Sequence, residues 1–395
     1  MGRILKNIGG DRSLWAIIAL LALFSFLPVY SASSNLANLY GRSTFTLLLK
    51  HAMHLVLGFG LIYIVHKVKY HKFKALSIVC LPIVVVLLVI TIMKGSTIGG
   101  ANASRWIRVP VIGVSFQTST LAAVVLMAYV ARYLAKFKDK TIVFKESCLE
   151  LWLPVGIVLA LILPANFSTA ALLFSMVMIL VFIGGYPLKF ISLIIGVGIV
   201  SLLLFVLTAK AFPDAFSNRV ETWQNRIENF SNGEDTKEDY QIERAKTAIA
   251  SGRLFGLGPG KSVQKNFLPQ SSSDFIYAII VEEWGIVVGI VILFFYMLLL
   301  FRLIVILNKS DTVFGKLLVA GVGLPIIFQA LINMAVAVEL FPVTGQTLPL
   351  ISSGGTSIWM TCFAFGIILS VSSAQKENKE KINSNKTKEN LQEVF

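Results

Sequence analysis

The sequence predicts an all-α polytopic membrane protein of about ten transmembrane helices, with a large extracellular loop between spans 7 and 8. Three observations carry that prediction. First, 56% of the 395 residues are apolar (AVILMFWYC) and only 14% are charged, against about 25% charged in an average soluble domain. So little charge cannot cover a soluble surface, and a disordered chain needs the opposite balance. Second, the apolar residues fall in runs of the roughly 17–25 residues that cross a bilayer core. Third, these runs are continuous rather than alternating, which fits helices and excludes an outer-membrane barrel.

Taken in order, the spans fall near 14–30, 45–65, 75–93, 111–131, 148–164, 170–186, 188–208, 274–303, 314–338 and 354–374. Arg3, Lys6 and Arg12 before the first run, with Ser31-Ala32-Ser33 after it, imitate a cleavable signal peptide. The run is longer than a signal core and nine more follow, so it reads as a retained helix. An even number of spans puts both termini on one side. Segments on that side carry 21 lysines and arginines, against five in the short segments opposite. The positive-inside bias therefore makes the N-terminus (1–13) and the polar tail (375–395) cytoplasmic, leaves 14–374 as the transmembrane domain, and turns the loop 209–273 outward. The net charge of +14 is then topological and does not point to nucleic acid. Cys80, Cys148 and Cys362 show no metal-ligand spacing.

Within the outer loop, Phe216, Val220, Trp223, Ile227 and Phe230 recur at helical spacing. This predicts an amphipathic helix over 216–230, lying in the headgroup plane or on the protein's own surface. A second helix follows over 240–250. The next stretch, Gly252-Arg-Leu-Phe-Gly256-Leu-Gly258-Pro-Gly260-Lys261-Ser262, imitates a phosphate loop, but Phe255 stands where that motif requires glycine. What survives is a turn. Either it is purely structural, or its backbone N–H groups cradle an anion with Arg253 and Lys261.

Asp274 sits at the change from polar loop to apolar span, where a carboxylate could cap the next helix or do chemistry. Glu282 and Glu283 lie two turns deeper, where ionisable groups are costly and are usually functional or paired.

Several blocks together resemble one family: Tyr240-Gln241, Gly256-Leu-Gly258-Pro-Gly260-Lys-Ser262, Leu268-Pro269, Ser273-Asp274-Phe275 and Glu282-Glu283-Trp-Gly285. The C-terminal third adds Gln329-Ala-Leu-Ile-Asn333, Phe341-Pro342-Val343-Thr344-Gly345 and Thr347-Leu-Pro349-Leu-Ile-Ser352-Ser-Gly354-Gly355-Thr-Ser357. The order and spacing are similar to those of the SEDS family (FtsW, RodA and SpoVE) over about residues 11 to 374. The Thr347–Ser352 block looks more like the FtsW members than the RodA members. Two departures stand out. The family's Phe-Gln-Pro-Ser-Glu with a following lysine is here Phe116-Gln117-Thr118-Ser119-Thr120, with Ala123 downstream, and its Gln-Pro-Asp is Pro164-Ala165-Asn166.

The resemblance implies a peptidoglycan glycosyltransferase that polymerises lipid II at the outer face of the bacterial cytoplasmic membrane during cell division, with Asp274 as general base. It implies Arg105, Lys261, Glu282, Glu283 and Ser352 as substrate-binding candidates. Structural roles go to Gly256, Gly258, Gly260, Pro269, Gln329, Asn333, Pro342, Gly345, Pro349, Gly354 and Gly355. Expected partners are lipid II, a class B penicillin-binding protein transpeptidase, other division proteins and membrane lipids. The resemblance fixes no cofactor, and a divalent cation (Mg or Mn) is one candidate to offset pyrophosphate charge. An elongation-type polymerase, a lipid-linked sugar transporter coupled through Glu282 and Glu283, and a non-catalytic scaffold for a transpeptidase are the alternative readings.

Overall fold

The computed structural model describes residues 9–39, 41, 43–95, 105–108, 115–138, 143–211, 237–268 and 270–392. The amphipathic helix expected over 216–230, and Pro269, lie outside them. The chain forms α1 (Arg12–Leu39), α2 (Thr44–Val65), α3 (Lys72–Lys94), a hairpin of β1 (Trp106–Arg108) and β2 (Ser115–Gln117), and α4 (Thr118–Lys136). These are followed by α5 (Phe144–Ser147), a π-helical turn (Cys148–Trp152), α6 (Leu153–Ile162), α7 (Phe167–Ile183) and α8 (Leu188–Ala211). After α9 (Lys237–Gly252) and a 3-10 turn (Gln264–Asn266) come α10 (Ile276–Lys309), α11 (Val313–Ala337) and α12 (Thr356–Gln392).

Eight of these helices are long and apolar enough to cross a membrane. The fifth and sixth expected spans are shorter helices: the fifth runs over 144–162 with a π-helical turn at Cys148–Trp152, and α7 has 17 residues, the lower limit for a span. The fourth span also begins later than its apolar run predicts. Residues 115–117 leave it to pair with 106–108, in the register Ile107 with Phe116. The Thr356 hydroxyl holds that pairing to α12, accepting from the Gln117 N–H at 3.4 Å and donating to the Ser115 carbonyl at 3.2 Å.

Short polar side chains start several helices by accepting backbone N–H groups that have no partner in the first turn. Asp11 accepts from Leu14 at 2.8 Å, Asn166 from Thr169 at 3.2 Å, and Thr312 from Gly315 at 3.1 Å. Asp11 also pairs with Arg302 of α10. That ion pair marks the face of the bundle bearing both chain ends.

The helices α4, α11 and α12 form the centre, each with 67% of its span buried, whereas α8 has 6% and leans on α7. The bundle is thus built around three helices whose tops converge beside the α10 start.

One feature of α10 departs from a regular helix. Gly285 has φ of 81° and interrupts it. The segment after α9 inserts its backbone into the break. Leu257 and Gly258 donate to the carbonyls of Glu282 and Glu283 at 2.9 Å each, and Ile286 and Val287 donate to those of Arg253 and Leu254. This arrangement satisfies main-chain groups that a broken helix would otherwise expose, the condition for irregular backbone at membrane depth. Only glycine fits at the crossing. A Cβ on Gly256 would lie 2.2 Å from the Glu283 carbonyl oxygen, and one on Gly285 would lie 2.1 Å from that of Leu254. The glycine-rich segment is therefore a structural splice rather than an anion cradle, because two of its N–H groups are engaged by α10.

Candidate active site

Asp274 is half-buried at the end of the loop that leads into α10. The N-cap position of α10 belongs to Phe275, one residue later, without a side-chain cap bond. The capping role that the sequence offered Asp274 is thus not the geometry found. Its backbone is fixed instead. The Asp274 N–H donates to the Gln270 carbonyl at 3.2 Å, and its own carbonyl accepts from Asn333 Nδ2 at 2.7 Å.

The same Asn333 nitrogen donates to the Gln346 carbonyl at 2.7 Å. Ser352 makes a second strap, donating to the Ser273 carbonyl at 2.6 Å and accepting from the Leu348 N–H at 2.7 Å. A third runs from the Ser353 N–H to the Ser272 carbonyl at 2.9 Å. Gln329 holds Thr347 through its carbonyl at 2.8 Å, and Tyr296 donates to the Pro349 carbonyl at 2.5 Å. Residues 272–274 and 346–353 consequently behave as one platform bolted to α11. Gly354 and Gly355 turn the chain into α12, the latter with φ of 54°, and Pro342 and Gly345 lie on the approach to the platform.

Gly345 adopts φ of 66°. Beside it stand two opposite charges: a Cβ there would be 3.6 Å from Asp274 Oδ2 and 3.9 Å from Arg105 Nη1. Arg105 is held in turn by its Nε, which donates to the Ala165 carbonyl at 2.9 Å. Glycine suits this position because L side chains rarely adopt its positive φ, and a Cβ there would be in van der Waals contact with both charged groups.

Beneath this point a cavity of about 100 Å³ descends between α4, α7, α11 and α12. Gln117, Thr169, Gln329, Gln346 and Thr347 line its upper part, and Leu172, Met176, Val322, Ile326 and Met360 its depth. Gly345, beside Asp274 and Arg105, belongs to its wall. A polar mouth over an apolar shaft suits a lipid-linked polar group.

The two departures from the family pattern have physical explanations. Thr120 and Ala123 face the cavity, so the missing charged pair leaves its α4 wall neutral. Thr118 bonds Thr91 of α3 at 2.9 Å, and Thr120 donates back to the Gln117 carbonyl at 2.7 Å. Asn166 caps α7 with its side-chain oxygen, which an aspartate would do equally well.

Glu282 and Glu283 are 1% and 0% exposed. Glu282 accepts from Ser262 Oγ and from the N–H groups of Val263 at 3.0 Å and Gln264 at 3.2 Å. Glu283 accepts from Ser31 Oγ of α1 and from the Ser262 N–H at 3.3 Å. Lys265 Nζ reaches Ser31 Oγ at 3.1 Å and the Gly260 carbonyl at 2.7 Å. Expected as substrate contacts, these carboxylates instead hold the loop around Gly258 and Gly260 onto α10. Lys261 is exposed, with its stem along Gly258. Ser31, Ser262 and Lys265 went unassigned in the sequence. Their signal was the glutamate pair itself, since buried carboxylates require donors.

The fold and this site define a polytopic helical membrane protein with one half-buried carboxylate at the head of an intramembrane cavity. Residues 11–377 match the FtsW/RodA/SpoVE family, described as cell cycle protein, and the chain belongs to it. It is 30% identical over 375 residues to a protein of Geobacter sp. (strain M18) named probable peptidoglycan glycosyltransferase FtsW, covering 93% of this chain and 98% of that one. A Geobacter sulfurreducens protein of the same name is 32% identical over 361 residues, covering 90% and 93%. Among solved structures, the fold is similar to a chain from a peptidoglycan synthase complex that coordinates polymerisation and crosslinking (TM-score 0.72, 23% identity, 93% of this chain and 98% of that chain). It is also similar to the Thermus thermophilus rod shape determining protein RodA (TM-score 0.66, 24% identity, 93% and 97%).

Proposed function

We propose that this chain is a peptidoglycan glycosyltransferase that polymerises lipid II, with Asp274 as general base. The observation that supports it most is that Asp274 and Arg105 both flank Gly345, which belongs to the wall of the cavity. Joining the 4-hydroxyl of an acceptor GlcNAc to C1 of a donor MurNAc removes one hydroxyl proton and expels undecaprenyl pyrophosphate. The base accepts that proton as the C–O bond forms. The leaving pyrophosphate is already a stable anion and needs no acid, unlike the alkoxide in an inverting glycosidase, which requires a second carboxyl. Arg105, which flanks Gly345 with Asp274, would offset pyrophosphate charge. The platform formed by Asn333 and Ser352 supplies positioning, which is worth several orders of magnitude in rate when reacting atoms are aligned. The cavity would take the start of the polyprenyl chain.

The positive-inside bias supports a cytoplasmic-membrane location with both termini cytoplasmic and Asp274 outside. The division role is favoured over the elongation role by the Thr347–Ser352 block and by relatives named FtsW. A transporter coupled through Glu282 and Glu283 is disfavoured, since Glu282 and one oxygen of Glu283 are engaged by the chain's own loop and α1. Among the described residues, no three of His, Cys, Asp and Glu come together as a metal cage. A Mg or Mn ion bound to the pyrophosphate would offset its charge. A class B transpeptidase is the proposed partner.

The test is purified protein incubated with labelled lipid II, alone and with a cognate class B transpeptidase, each with and without EDTA. Glycan strands from either sample support polymerisation, and strands only with the transpeptidase add activation by contact. No strands from any sample, with lipid II moved across vesicles instead, would favour the transporter.

A further inference from the structure

We infer that the tip of the glycine-rich splice, Leu254-Phe255-Gly256-Leu257, is seated among the acyl chains of the leaflet on the Asp274 side. The tip thereby sets the height of Asp274 against the lipid headgroups. Three observations carry this. Arg302, paired with Asp11, marks the terminal face, and seventeen residues of α10 separate it from Gly285. At about 1.5 Å per residue that is roughly 26 Å, so the break falls just inside a hydrocarbon core of about 30 Å. The splice crosses α10 at that depth.

Next, the tip is apolar and bare. Phe255 is 81% exposed, Leu254 60% and Leu257 42%, and the flanking Arg253 and Lys261 are exposed cations. Apolar residues below and basic residues beside them complement acyl chains under phosphate headgroups. The tip is also continuous with an existing lipid face. Val287, whose N–H bonds the Leu254 carbonyl, begins a row of exposed apolar residues on α10 that continues through Ile290, Val291 and Phe294. Hydrocarbon tolerates the tip because α10 pairs with its backbone.

The consequence concerns Asp274. The splice is tied through Ser262 and Lys265 to Glu282, Glu283 and Ser31, and its chain runs directly into the loop that ends at Asp274.

The test is spin-label accessibility of the full chain in liposomes of phosphatidylethanolamine and phosphatidylglycerol, with Cys80, Cys148 and Cys362 replaced by alanine. Phe255→Cys is compared with Ile290→Cys on α10 and Tyr240→Cys on α9, and Leu254→Cys serves as a second tip position should the first fold poorly. The expected result is oxygen accessibility severalfold above that of a nickel chelate at the tip, as at Ile290→Cys. The reverse ratio, as at Tyr240→Cys, would overturn the inference. So would a label shielded from both reagents, which would mean a second protein copy covers the tip. The readout is independent of the glycosyltransferase proposal.

Discussion

Asn333 donates from one nitrogen to the carbonyls of both Asp274 and Gln346, at 2.7 Å each. It is 1% exposed, so neither bond has water as a substitute, and the pair fixes the backbone beneath the carboxylate to the loop carrying Gly345. Asn333→Leu should cost about 1–3 kcal/mol of stability, because it leaves two buried carbonyls without a donor. Strand formation should fall by at least tenfold in protein that still folds. Thermal melting beside an initial-rate assay checks this, and loss of stability with unchanged rate would argue against a positioning role.

Gly345 makes a sharper prediction. An alanine there carries left-handed strain of roughly 1–2 kcal/mol and brings a methyl against both Asp274 Oδ2 and Arg105 Nη1. Gly345→Ala should therefore reduce the rate more than the melting temperature, and Gly345→Val should remove activity while the helices persist by circular dichroism.

The α10 splice predicts the opposite balance. Gly285→Ala drives a Cβ to 2.1 Å from the Leu254 carbonyl oxygen. Backbone cannot yield there as a side-chain tip would, so the loss should belong to the large class, on the order of 4 kcal/mol or more. Yield of monodisperse protein and its melting curve measure it. A melt matching wild type would contradict the splice.

Much of this was legible in the sequence, and the limits are physical. Continuous apolar runs set eight helices nearly as observed, because hydrophobic length is a local property. The fifth and sixth expected runs are helical over 144–162 and 167–183, and the π-helical turn in the first left no mark because it does not alter apolar periodicity. The β1–β2 hairpin was missed because Ser115-Phe116-Gln117 abuts an apolar run, and its tie to α12 through Thr356 lies some 240 residues on. Asp274 stood out from its family context, while its support by Asn333 and Ser352 depends on tertiary contacts that spacing cannot reveal. Glu282 and Glu283 were recognised as costly and assigned to substrate. Their donors, Ser31, Ser262 and Lys265, appear only when α1 and the loop are brought onto α10.

Asn166 tests whether the departure from the family pattern is neutral. Its oxygen caps α7, so Asn166→Asp should stay within about 0.5 kcal/mol, whereas Asn166→Ala should lose about 1 kcal/mol. Chemical or thermal denaturation of both variants decides it. A large gain in strand formation from Asn166→Asp would show that the missing acid bears on the reaction.

The central claim is that Asp274 accepts the acceptor hydroxyl proton. Its most direct test is the initial rate of glycan strand formation from labelled lipid II by wild type, Asp274→Asn and Asp274→Glu, each with its partner transpeptidase and each verified by its melting temperature. The account predicts a loss of at least about a hundredfold in Asp274→Asn, the lower range for general-base catalysis, with melting unchanged and partial activity in Asp274→Glu. Equal rates for wild type and Asp274→Asn would contradict it.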